Sequence, residues 1–122
     1  MIQSANPRLL LRQLMPAIAQ IRLCELWSQW MVRAFRKAQP WPQFRDGTKA
    51  WIDGLGNLSG GSEEHFTSLT WKLVREGPRS YVADIVLRGR SVAEVEFVRL
   101  PFPKGCRTGC EPFWGITRFE KR

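Results

Sequence analysis

The chain has 122 residues, 43% apolar and 25% charged, with a formal net charge of +8. That length supports a single domain, 1–122, with one hydrophobic core. Ordinary globular composition excludes a disordered or fibrous chain, and no apolar run approaches the ~18 residues a membrane-crossing helix needs.

Residues 1–45 carry Arg8, Arg12, Arg22, Arg33, Arg36, Lys37 and Arg45 against Glu25 alone. An acid-poor, arginine-containing start resembles a transit peptide. Trp27 and Trp30 lie in it, however, and it runs unbroken into the rest of the chain, which favours a segment that stays and folds. Three cysteines without a convincing secretory signal point to a reducing cytoplasm. Residues 1–6 read as a loose end. Asn6-Pro7 is a helix start, with Asn capping and Pro in the first turn. The helix carries Leu10, Leu11 and Leu14 and is expected to stop or kink near Pro16, which removes a hydrogen bond and clashes with the preceding turn.

A second amphipathic helix is predicted over about Ala17 to Ala38. Arg22, Glu25, Gln29, Arg33, Arg36 and Lys37 cluster on one arc, and Leu23, Leu26, Trp27, Trp30, Met31 and Phe35 on the rest. A basic amphipathic helix can lie on a membrane or partner; here the simpler role is to cover a sheet. Residues 40–62 read as a connector: a turn at Asp46-Gly47, one or two helical turns over Thr48–Leu55, then a Gly-rich surface loop lacking the Gly-Lys-Ser/Thr of a phosphate loop.

From His65 to Leu100 the pattern has period two. Leu69, Trp71 and Leu73 share one face of the first run, Tyr81, Ala83, Ile85 and Leu87 one face of the second, and Ala93, Val95 and Phe97 one face of the third; together they make one apolar sheet face. Glu76-Gly77-Pro78 and a type II′ turn at Gly89-Arg90 separate the runs, giving an antiparallel meander. A last strand is predicted over Phe113–Phe119, with Phe113, Thr117 and Phe119 on one face. The expected fold is α+β: an N-terminal amphipathic helix, single or broken near Pro16, on a curved antiparallel sheet of about four strands. In element order this layout is similar to the cystatin-like and nuclear-transport-factor-like folds, which wrap a sheet round a helix and often keep a pocket between them. No family motif is matched, so the resemblance carries over no site residue.

No constellation names a reaction, and no cofactor is implied. Zinc would need Cys24, Cys106, Cys110 and His65 to converge from separate elements, so no metal site is assigned; Cys106 and Cys110 are either bridged or free. The catalytic candidates are His65, as a general base after Glu63-Glu64, and Asp84, as a buried acid beside an arginine such as Arg99. Both are ranked below structural roles, the alternative for Asp84 being a charge ladder with Glu94, Glu96, Lys72 and Arg88. The Phe113-flanking and meander aromatics Trp71, Trp114 and Phe102 are possible stacking platforms beside the hairpin arginines Arg75, Arg79, Arg88 and Arg90, which would bind nucleic acid or another anionic macromolecule if continuous. That non-catalytic binding role is the leading expectation. The alternative is a small-molecule-binding or hydrolase-type protein with an apolar pocket lined by Trp27, Trp30, Trp71 and Phe97. The second sheet face, mixing Asp84, Glu94, Glu96, Lys72 and Arg88 with Val82, Val86 and Val98, is where a ligand or the second subunit of a homodimer is expected.

Overall fold

The computed structural model describes residues 2–3, 6–19, 22–58, 69–101, 105 and 113–122. His65, Phe102, Cys106 and Cys110, singled out above, lie outside them. The chain forms an α+β structure in which helices from residues 7–58 cover one face of an antiparallel sheet.

Helix α1 spans Pro7–Ala19. Asn6 caps it as predicted: its Oδ1 accepts from the Leu9 amide at 3.0 Å and its carbonyl from the Leu10 amide at 3.2 Å. The helix does not stop at Leu14 but passes through Pro16. Pro16 and Arg12 both lie on the solvent side, so the carbonyl that loses its donor can bond water. Leu10, Leu11, Leu14, Ala17 and Ile18 are fully buried. Each leucine or isoleucine so buried contributes about 1.5–3 kcal/mol, enough to hold a helix through an unfavourable proline.

The long helix predicted over Ala17–Ala38 is instead three pieces. A single α-turn, α2 (Leu23–Glu25), runs into a π-helical turn at Leu26–Trp30, closed by the Met31 amide on the Leu26 carbonyl. The wider turn accommodates an extra residue, and Leu26, Trp30 and Met31 are all buried. Met31 and Val32 are extended; Met31 bridges Ile116, and the Val32 amide donates to the Ile116 carbonyl at 3.0 Å. Only then does helix α3 (Arg33–Ala38) begin. Edge pairing to the sheet outweighs helix continuation at these two residues.

The predicted connector is mostly helix. Helix α4 spans Trp41–Leu58 and includes Asp46 and Gly47. The Pro40 carbonyl accepts the first bond, from Phe44, and Pro42 sits in the first turn, where an amide would lack a partner anyway. Phe44, Thr48, Ile52 and Leu55 form its buried stripe.

The meander is as predicted: β2 (Leu69–Glu76), β3 (Ser80–Leu87) and β4 (Arg90–Leu100). The β3–β4 turn differs. Leu87 pairs with Arg90, so the two-residue loop is Arg88-Gly89, and both have positive φ (51° and 80°). That is a type I′ turn, not type II′. Strand β5 (Phe113–Lys121) pairs with β4, and the supposed loose end contributes β1 (Ile2–Gln3), opposite Trp114 and Phe113. The sheet order is β1-β5-β4-β3-β2.

Three bulges shift its register. Val74 is extra on β2, Val92 on β4 and Thr117 on β5. Such bulges bend a strand and increase its twist. The bulge at Thr117 overturns the predicted facing of the last strand: Trp114 and Ile116 are inward before it, and Phe119 after it. The displaced carbonyl of Val92 takes two donors, Trp51 Nε1 at 3.0 Å and the Arg122 amide at 2.9 Å. Together Leu69, Ala83, Ile85, Leu87, Ala93, Val95 and Phe97 meet the helices in one hydrophobic cluster.

Candidate nucleic-acid interface

The four hairpin arginines do not form one surface. Arg79 precedes β3 and Arg88 follows it, so they lie at opposite ends of the sheet, about 30 Å apart at strand rise. Arg75, on β2, is held by Glu96 on β4 at 3.2 Å. Arg79 shares a hollow of about 270 Å³ with Arg99, Leu100 and Pro101; Arg88 and Arg90 share one of about 150 Å³ with Leu87 and Val92. Of the candidate platforms among the described residues, Trp114 is buried against the Tyr81 ring, 4.7 Å between centroids, and Trp71 packs on the core cluster.

The pocket residues are spent on packing. Trp30 and Phe97 are buried, with rings edge to face at 6.5 Å. Trp71 is partly buried against the same cluster. Trp27 lies nearer the surface; its Nε1 donates to the Gln39 carbonyl at 3.0 Å. Trp30, Trp71 and Phe97 pack between helix and sheet, and Trp27 stands at the margin of that layer.

Asp84 lies on the sheet face away from the helices, level with Lys72 on β2, Glu94 on β4 and, beyond it, Glu120 on β5. Its nearest cation is Arg122, 3.8 Å from Oδ1. Arg99, the arginine expected beside it, sits opposite Trp114 instead. Two residues absent from the predicted ladder organise this face. Arg118 meets Glu94 at 2.6 Å and Glu120 at 2.9 Å, and Arg122 meets Glu94 at 3.1 Å. Glu94 is held below its ordinary pKa, first by the Arg118 hydrogen bond, and Arg118 is correspondingly raised. Val74, Arg75, Val82, Glu94 and Arg118 outline a hollow of about 300 Å³ here. Asp84, Glu94, Glu96 and Glu120 are matched by Lys72, Arg75, Arg118 and Arg122 across the face, which gives it no net pull on a polyanion. Among the described residues no group of three or more His, Cys, Asp or Glu is placed to hold a metal ion.

The larger share of the excess charge is on the helices. Over residues 1–58, Arg8, Arg12, Arg22, Arg33, Arg36, Lys37, Arg45 and Lys49 stand against Glu25, Asp46 and Asp53. Glu25 is paired with Arg22 at 2.9 Å and Asp46 with Arg45 at 3.0 Å. Both pairs are exposed, so they are worth at most about 1 kcal/mol and exchange readily for another anion.

Aromatic rings run through this basic surface. The Arg36 guanidinium lies 5.9 Å from the centre of the Trp27 ring, a cation–π distance, and its Nη1 donates to the Ser28 carbonyl. Trp27 is 5.9 Å from Trp41, and Trp41 is 6.4 Å from Phe44. Beside Trp41 a hollow of about 540 Å³ opens between α2 and α4, lined by Arg22, Leu23, Cys24, Glu25, Trp41 and Arg45. Sequence reasoning missed Trp41 and Arg45 by assigning them to a connector. The recurrence of Trp41, Phe44, Thr48, Ile52 and Leu55 at helical spacing was the signal that could have found them.

Comparisons with protein-family models, with curated proteins and with solved structures return no match. The cystatin-like and nuclear-transport-factor-like resemblance therefore rests on element order alone. Among the described residues no helix is long and apolar enough to cross a membrane.

Proposed function

We propose that this chain is a non-catalytic binding domain for an anionic macromolecule, nucleic acid first among them, and that its helical layer is the contact surface. One observation carries the reading: the charge excess of residues 1–58 is concentrated on helices with interleaved tryptophans, whereas the outer sheet face neutralises itself. Each phosphate met by an arginine or lysine releases condensed counterions, so affinity falls as salt rises. The exposed arginines at the two sheet ends, Arg79 with Arg99 and Arg88 with Arg90, form the natural comparison set.

Binding of a labelled oligonucleotide, followed by fluorescence anisotropy, tests this. Affinity is expected to drop at least tenfold between roughly 50 and 200 mM salt. Reversing Arg33 and Lys37, both exposed on α3, to glutamate is expected to weaken binding tenfold or more. Replacing Arg79 and Arg99, or Arg88 and Arg90, by alanine is expected to do less. Salt-independent affinity would reject electrostatic binding. A larger loss from either sheet-end pair would move the contact surface off the helices.

A further inference from the structure

Resting on that reading, we infer that the hollow between α2 and α4 is a single-strand subsite: one nucleobase stacks on Trp41 while the flanking phosphates meet Arg22 and Arg45. Trp41 is half-buried, its ring backed by Trp27 and Phe44, so a side chain with few rotatable bonds is held in place before any ligand arrives. Arg22 and Arg45 flank it on the rim of a hollow of about 540 Å³, a volume within the range of small-ligand sites. The floor is apolar, from Leu23. Both arginines carry a carboxylate in the free protein, Arg22 holding Glu25 at 2.9 Å and Arg45 holding Asp46 at 3.0 Å; these are weak surface pairs, and phosphate binding requires each carboxylate to be displaced.

The arrangement discriminates by strandedness. The Trp41 ring lines a shallow, open hollow; a base splayed from a single strand can lay its face on it, whereas paired and stacked bases in a duplex hide their faces. Stacking of this kind is indifferent to base identity, because every base has a π face. Arg36 over Trp27 continues the basic–aromatic surface beyond Trp41. A lipid surface is the poorer fit: of the large hydrophobic side chains among the described residues of the helices, Leu9 is the exposed one, and an interfacial helix needs a continuous apolar face.

The test uses the full chain, an oligo-dT single strand, the corresponding dA·dT duplex, and phosphatidylserine–phosphatidylcholine vesicles. The single strand is expected to bind at least tenfold tighter than the duplex at equal salt. Trp41→Ala is expected to weaken single-strand binding about tenfold or more and leave duplex binding within twofold, with Trp41→Phe retaining most of the affinity. Cys24 is an exposed free thiol in the hollow, so its alkylation rate, read peptide by peptide in the unmutated protein, reports occupancy even if Trp41→Ala does not fold. That rate is expected to fall severalfold at saturating single strand.

Equal affinity for both strand forms overturns the subsite and leaves anionic binding standing. So does unchanged Cys24 alkylation, or an undiminished affinity in folded Trp41→Ala. Failure of both nucleic acids to bind overturns the subsite and the broader nucleic-acid reading together. Vesicle binding alongside that failure would assign the basic face to lipid instead.

Discussion

Arg118 reaches two carboxylates at once, and Glu94 receives two guanidiniums. Removing Arg118 leaves Glu94 and Glu120 directly opposite each other on paired strands, and like charges so placed are costly on a sheet. Because Glu94 is held below its ordinary value of 4.5, its ionised form is favoured by folding. That contribution is complete above about pH 4.5 and disappears as pH falls through the lower folded value. Glu94→Gln is therefore expected to unfold at lower urea than the parent near neutral pH, and the gap between their midpoints to narrow as pH falls below about 4.5. A constant gap would mean the side chain acts through packing alone. Lys121 shows the opposite balance. Burial lowers its pKa; its ammonium lies 5.7 and 6.0 Å from the Phe44 and Phe119 ring centres and donates to the buried Thr48 hydroxyl at 3.4 Å. These contacts tie the end of β5 to α4.

At the scale of elements, the meander, the last strand and the start of α1 were legible; β1 and the later helix boundaries were not. The meander announces itself because alternation and short turns act locally, and both survive in the folded sheet. Three things escaped. The bulges at Val74, Val92 and Thr117 each add one residue, and a period-two pattern carries no sign of where parity will flip. The break at Met31-Val32 exists because Ile116, far along the chain, offers a free edge. Helix α4 contains Gly47 and Gly54, local signals for a turn that burial of Phe44, Ile52 and Leu55 overrides. The candidate site fell with that helix: the positive charge could be read directly, but Trp41 and Arg45 acquire meaning only as helix residues facing α2.

Two helix substitutions follow. A Cβ at Gly54 would meet nothing within 4 Å, so Gly54→Ala is expected to stabilise by about 0.5–1 kcal/mol. Pro16→Ala restores a hydrogen bond on the solvent side of α1 and is expected to add about 1–3 kcal/mol. Urea unfolding measures both, and a loss of stability in either would mean that the helix is not continuous there.

For the molecule as a whole, the sheet separates two electrostatic surfaces: a self-neutralised strand face and a helical face with surplus positive charge. The proposed binding role assigns the ligand to the second. The first, crossed by Arg75–Glu96, Arg118–Glu94 and Arg122–Glu94 pairs, reads as a surface that resists drifting into unwanted strand-face association, since an incoming apolar partner would have to desolvate those charges.

The place of β1 has a consequence in time. Ile2 and Gln3 pair with Trp114 and Phe113, and β5 in turn lies against β4. On a ribosome the first strand to emerge must wait for almost the entire chain before its seat exists. Closing so long a loop is slow compared with forming hairpins. In refolding, pulsed amide exchange should find β3 and β4 protected first and the β1–β5 pairing last. Early protection of β1 would require a different partner in the intermediate. Until that moment the outer edge of β5 near Trp114 stands open, and the nascent chain has a vulnerability that the finished one has closed.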